Sequence, residues 1–301
     1  MFEMRRPDCI VACVVALAAA WVPVARADVL RESRMFQWLL LRSESNTREY
    51  TSSDRRCTEY QVRSWGLDGK PFPGVTAVRV IVRLDLGLVW EVREQDTTYT
   101  ETSFAVLREA WARAGYVRPV PQRVSGALRS GRREQVAGRA AERVDIEALF
   151  ARETPEAGAA ASSQPPDTAK GQAWIAADFP ECGQLRAFES RCLDSLRGCE
   201  LGEEMAASRE FDARLLAASG LQDGCVLGWS LRLAIAERPE LASNPADDAD
   251  SLVQALRRDW GSFRDECVRF ETVPANLAIY ELPRGYRRRP SDAELLLKAL
   301  E

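Results

Sequence analysis

Residues 77–104, AVRVIVRLDLGLVWEVREQDTTYTETSF, decide the fold class. Val78, Val80, Val82 and Leu84 fall on one side of an extended chain, with Arg79 and Arg83 on the other. Leu86, Leu88, Trp90 and Val92 continue the period of two, which is the signature of half-buried strands. Glu94 to Thr97 is a polar turn, and Thr98 to Phe104 returns as a strand of threonines around Tyr99, residues that favour the pleated conformation. Strands joined by short turns, with no helix between them, predict an antiparallel meander rather than a βαβ unit. Trp90 falls on the buried, ligand-facing side of this hairpin, and Tyr99 is a packing residue.

Outward from the hairpin the pattern stays mixed. Met35–Leu41 is a short apolar strand, and Cys57–Trp65 is a strand that ends at the turn Leu67-Asp68-Gly69-Lys70. Ala105–Ala114 has helical spacing and stops at Gly115, while Gln135–Ile146 is a strand pair around a glycine turn. Glu153–Gly171 is rich in Ala, Pro, Ser and Gly without apolar periodicity, as expected of a mobile loop or linker. Gln172–Ala177 is a short strand, and Glu181–Ser219 is helical, with Leu185, Phe188, Cys192 and Leu196 near helical spacing. Leu227, Trp229, Leu231, Leu233 and Ile235 alternate. A helix over Ala249–Trp260 and strands over Glu266–Val273 and Leu277–Leu282 complete the expectation, with Arg287-Arg288-Arg289 in a solvated tail.

The first 27 residues predict export. Arg5 and Arg6 precede the apolar run Ile10–Val22, and Ala25-Arg26-Ala27 fits a small-x-small cleavage site, so a signal peptide is cut after Ala27. The run is too short to span a bilayer, and no later stretch approaches that length. A periplasmic location is expected, with secretion as the alternative, and no stable membrane span. The exported chain keeps Cys57, Cys182, Cys192, Cys199, Cys225 and Cys267 as disulfide candidates with open connectivity. On one unbroken helix Cys192 and Cys199 would stand about 10 Å apart, too far to bridge. A bond between them therefore requires a break, which Gly198 supplies.

Composition and motifs exclude much chemistry. A formal charge of −4 does not suit a nucleic-acid footprint. The sequence contains no histidine, which removes Ser-His-Asp and Cys-His nucleophile systems and most catalytic zinc sites. No CxxC, P-loop, GxGxxG or GxSxG motif is present. The paired carboxylates Glu203-Glu204 and Asp247-Asp248 lie in polar stretches expected at the surface. No cofactor or metal is expected. Trp38, Trp90, Trp174 and Trp229 all fall on expected strands, where aromatics either fill a core or line a ligand cavity.

The order of segments resembles exported bacterial domains of unknown function related to the LolA/LolB lipoprotein carriers. "VRVIVRLDLGLVWEVREQDTTYTETSF" looks like their strand–Asp–strand–turn–strand piece, and "QVAGRAAERVDI" like their glycine-turned strand pair. "AWIAADFP", "LGWSLRLAI" and "YELPRGYRR" follow in matching order. The resemblance runs from Met35 to Arg289 and implies one domain over 28–301. It implies an α+β fold in which an antiparallel sheet curves, as an incomplete barrel, around a few helices and presents an apolar concave face. Residues 153–171 and the helical, cysteine-bearing 181–219 are insertions on that pattern. It implies no catalytic residues. Two functions are then expected: a non-catalytic carrier for a lipid or acyl chain, lined by Trp90, Trp174, Trp229 and Leu231, or a protein-interaction module of the envelope with a filled core.

Overall fold

The computed structural model describes residues 27–38, 42–66, 69–74, 76–114, 123–150, 167–197, 199–234 and 261–300. The leader segment 1–26 and the helix expected over Ala249–Trp260 lie outside the described residues, as do residues 153–166 of the expected loop, whereas its last five residues, 167–171, are not loop but strand, paired on both sides. Six strands come first: β1 (Ala27–Trp38), β2 (Arg42–Thr51), β3 (Arg55–Trp65), β4 (Thr76–Arg83), β5 (Leu88–Arg93) and β6 (Thr98–Ser103). They pair in sequence order as an antiparallel meander. Helix α1 (Phe104–Ala114) leaves its outer edge.

A second meander follows, of β7 (Arg123–Val136), β8 (Arg139–Phe150), β9 (Asp167–Ala176), β10 (Cys225–Ala234) and β11 (Ser262–Pro274). Helices α2 (Pro180–Leu196) and α3 (Glu200–Ser219) are inserted between β9 and β10. β11 pairs with β1 from Ala27↔Pro274 to Trp38↔Ser262, with a bulge at Glu32/Ser33, and this pairing fuses the two meanders. The chain ends in β12 (Arg287–Arg289) and helix α4 (Asp292–Ala299). The result is α+β: one twelve-stranded sheet, ordered β12-β6-β5-β4-β3-β2-β1-β11-β10-β9-β8-β7, that does not close on itself. It is antiparallel except where β12 joins β6 in parallel.

Gly171 lets the second meander pair tightly. A Cβ there would lie 1.8 Å from the Ser230 carbonyl oxygen of β10, so any other residue forces β9 and β10 apart.

The centre of the first meander is covered on both faces. Val82 packs with Phe104 of α1 and Phe188, Cys192 and Leu196 of α2. Its neighbour Ile81 points the other way and packs with Cys57, Trp90, Val92 and Tyr280. Arg83 is buried at the strand end and makes a bidentate contact to Asp85, both bonds at 2.8 Å. It also donates to Glu281 at 2.9 Å and to the Tyr280 carbonyl at 3.3 Å. The C-terminal segment is thereby clamped over the outer face.

Three sequence expectations change here. Leu277–Leu282 is not a strand: Leu277–Tyr280 coil into a 3-10 turn, capped by Asn276, whose side chain accepts from the Ala278 amide at 3.2 Å. That turn drops Tyr280 into the outer core. Residues 287–289 have exposed side chains, but their backbone is paired as β12. The polar segment Arg42–Thr51, to which no element was assigned, is the full strand β2.

Candidate functional site

Strand register decides which side chains meet on the helix-covered face. Along β1 to β6 the pairs Arg31↔Glu49, Glu49↔Thr58, Thr58↔Val80, Val80↔Glu91 and Glu91↔Thr100 run across the sheet. Among the described residues, one concavity lies at each end of the helical layer on this face.

The larger is a groove of about 640 Å³ between β4–β6, α1 and α4. Its walls are Val80 and Val89 from the sheet, Leu107, Ala110 and Trp111 from α1, and Leu296 from α4. Glu91, Arg93 and Asp292 supply charge, and Arg93 is already paired with Glu91 at 2.8 Å. Helix α1 presents this apolar stripe because Leu107, Ala110, Trp111 and Ala114 follow the three-and-four spacing of one helix face. Helix α4 is held by a capping box in which Ser291 accepts from the Glu294 amide while Glu294 accepts from the Ser291 amide.

The smaller is a cleft of about 280 Å³ between α2 and α3, floored by β1, β10 and β11. Leu185, Leu216 and Phe270 supply apolar wall, while Arg31, Glu189 and Asp212 bring charge inside. Arg31 pairs with Asp265 at 3.1 Å. Arg56 lies 3.6 Å from both Glu49 and Glu189, and its guanidinium sits 4.5 Å above the Phe188 ring. Arg209 donates to the Ser190 hydroxyl at 2.9 Å. Burial pushes the Glu189 carboxyl upward, against the pull of Arg56. Burial also pushes Asp212 to about 7, with Arg31 opposing the rise and Glu189 and Asp265 adding to it.

The structure distributes the four expected lining residues over three clusters. Trp90 lies on the outer face beneath the C-terminal segment, its indole N–H donating to Glu101 at 2.8 Å. Trp174 borders the core around Phe179 and donates to Glu134 at 2.9 Å. Trp229 and Leu231 stand together beneath Leu215 of α3. None of the four lines the 640 Å³ groove. Of the six cysteines, Cys182 and Cys225 are bonded, joining α2 to the start of β10. Cys57, Cys192, Cys199 and Cys267 are buried thiols. Burial drives Cys57 to about 12 and Cys192 to about 11, so neither is a thiolate nucleophile near neutrality. Cys192 and Cys199 share one cluster on either side of the α2–α3 break.

The charged cleft was missed at the sequence level. Its signal was an arginine or a carboxylate on the same side of a strand as buried residues, as with Arg31 beside Val29.

Among the described residues, no group of three or more His, Cys, Asp or Glu side chains converges to hold a metal ion. No described helix is long and apolar enough to cross a membrane. No protein-family model, curated protein or solved structure matches this chain.

Proposed function

We propose that the protein is an exported, non-catalytic binding or carrier protein that takes an apolar ligand, a lipid or acyl chain, into the groove beneath α1 and α4. The observation that carries the reading is that groove: about 640 Å³, walled by aliphatic and aromatic side chains, with a few charged groups at hand. Its size and mixed lining suit a small-molecule site. Affinity would come from buried apolar area at roughly 25 cal/mol per Å², less the losses of association. Export rests on the leader-like first 27 residues and on the Cys182–Cys225 bond, which persists in oxidising compartments. The LolA/LolB-like order of motifs points the same way, with the ligand placed under α1 rather than against the four expected lining residues.

A second reading, a protein-interaction module, draws on the C-terminus, where Leu295 of α4 and Leu300, its C-cap, are each 51% exposed. Native mass spectrometry of protein isolated from its exported form, together with uptake of a fluorescent fatty acid, separates the two. A lipid-sized adduct, or uptake lost in Thr100→Trp, which fills the groove from β6, supports the carrier. A bare mass with no uptake removes it.

A further inference from the structure

Of the four tryptophans expected on strands, Trp38 joins none of the clusters described above: it closes β1 and is 61% exposed. Register puts it in one row with Arg42 of β2 and Trp65 of β3, and the Arg42 guanidinium lies 4.6 Å from the centre of the Trp65 ring. An odd number of residues separates Arg42 from Glu49 and Trp65 from Thr58, and successive side chains of a strand alternate faces. The row therefore lies on the outer face, away from α2 and α3. Behind it on the same face come the rows Phe36–Glu44–Arg63 and Arg34–Asn46–Gln61. Tyr280 covers the outer face at Cys57, near the other end of β3. At this end Arg34, Arg42 and Arg63 are exposed.

The turn after β3 adds to the same end of the sheet. Trp65 bridges to Pro71, and the Phe72 amide donates to the Ser64 carbonyl at 2.8 Å, which fixes Phe72, 49% exposed, beside the strand end. In the sequence, Trp38 and Arg42 are joined by Leu39-Leu40-Leu41, three residues outside the described structure. That composition is apolar where the connection of two paired strands ordinarily takes Gly, Asn, Asp or Ser.

Charge at this end runs against that of the molecule. The three rows carry three arginines and one carboxylate, in a chain of formal charge −4. Arg34 and Arg63 make no ion pair among the described residues, whereas Arg31 and Arg56 on the covered face are each matched to a carboxylate. Exposed indole and phenyl rings beside unpaired arginines suit a lipid surface, where aromatic rings settle at headgroup level and guanidinium groups meet phosphate. The order of the side chains fits as well. Trp38, Trp65 and Phe72 stand at the extreme end of the strands, with Arg63 about 7 Å and Arg34 about 14 Å behind them at the rise of an extended chain. A protein interface has the other arrangement, an apolar centre inside a polar rim.

We propose that this end of the sheet, formed by Trp38, Arg42, Arg63, Trp65 and Phe72 with Arg34 behind them, is a docking surface for an anionic lipid bilayer. The exported protein sits on the bilayer through it and does not span it. None of these residues lines the groove under α1 and α4, so the surface stands independently of that site.

The test is co-sedimentation of the full exported chain with vesicles of phosphatidylcholine and phosphatidylglycerol in equal parts, against vesicles of phosphatidylcholine alone. Binding to the mixed vesicles is expected, and it should weaken with added salt. At about fivefold per basic residue, Arg42→Ser combined with Arg63→Ser should bind roughly 30-fold more weakly. Brominated acyl chains should quench tryptophan fluorescence in the wild type and less in Trp38→Ser. All three positions are exposed, so urea unfolding and fatty-acid uptake should match wild type and show that fold and groove are kept. Absence of binding to the mixed vesicles overturns the proposal whatever the groove takes up, and a dimer abolished by Trp38→Ser would then assign the patch to a second copy of the chain. Equal binding by the double arginine variant, or by Trp38→Ser, overturns it as well.

Discussion

Replacing Asp212 by Asn should make the protein more stable near neutrality, and the size of the gain follows from how far burial raises this carboxyl. Asn keeps the shape of the side chain and removes its charge. In the unfolded chain this carboxyl ionises near 3.8, whereas burial holds it protonated to about 7 in the folded state. The sign is set by which state holds the proton. Below 3.8 both states are neutral, and wild type and variant should be equally stable. As pH rises the unfolded chain releases its proton first, so wild-type stability falls until the folded carboxyl also ionises near 7, and the loss is complete above that. The interval corresponds to a ceiling of about 4 kcal/mol. The cleft admits water, so a gain of roughly 2–4 kcal/mol for Asp212→Asn at pH 8.5 is the working value. Urea unfolding followed by tryptophan fluorescence at pH 4.5, 6, 7 and 8.5 gives both curves. Parallel curves, or a variant less stable than wild type at pH 8.5, would refute the reasoning, because burial would then not be what holds the proton on Asp212.

Arg83→Ala should cost roughly 1.5–3 kcal/mol, since it removes the buried clamp on the C-terminal segment while Arg55 still faces Asp85 at 3.1 Å and Glu281 at 3.8 Å. Faster amide exchange over 277–290, with β9 and β10 unchanged, is the measurement. Hydrogen bonds from Arg83 hold the Asp85 carboxyl below its usual range. The clamp's contribution is therefore present above the unfolded carboxyl's pKa and is lost as pH falls through the lowered folded value, so the gap between wild type and variant should close in acid. Replacing Cys182 and Cys225 together by Ser opens a cross-link across a separation of 43 residues. A loss of roughly 4 kcal/mol is expected in the chain-entropy account, checked by urea unfolding with and without reductant. Fully reduced wild type should then match the double variant.

How much of this was legible in the chain depends on whether a residue's neighbours lie nearby in sequence. The β4–β5–β6 hairpins were legible because period-two alternation and the turn at 94–97 are local. The glycine-turned pair β7–β8 was legible for the same reason, as was α1. β2 was not, because RSESNTREYT carries almost no apolar signal. Its strand is supported by cross-strand pairs such as Arg48 with Glu32 at 2.7 Å, which appear only once β1 lies beside it. The misread strand at 277–282 has a similar cause. Leu277–Leu282 reads as a last strand, but the outer core required Tyr280 to turn inward at a point where Asn276 could cap the turn.

The two concavities separate local from non-local information more sharply. Helix α1 announces its apolar stripe in ten residues, yet the opposing wall needs the register of three strands and a C-terminal helix almost 200 residues later. For the charged cleft, each contributing residue taken singly looks like ordinary surface: an arginine on a strand, a carboxylate on a helix. The available clue is phase. Arg31 shares its strand side with Val29, and Asp265 shares its side with Cys267, residues that are buried. A charged side chain in phase with the buried side of a strand must find a counter-charge inside the molecule, because burying it alone costs far more than one contact returns. Summing such in-phase charges over all elements that cover one face predicts whether that interior is neutral. Here Arg31 meets Asp265 at 3.1 Å and Arg56 lies 3.6 Å from both Glu49 and Glu189, so the in-phase charges of the strands find their counter-charges on the same covered face.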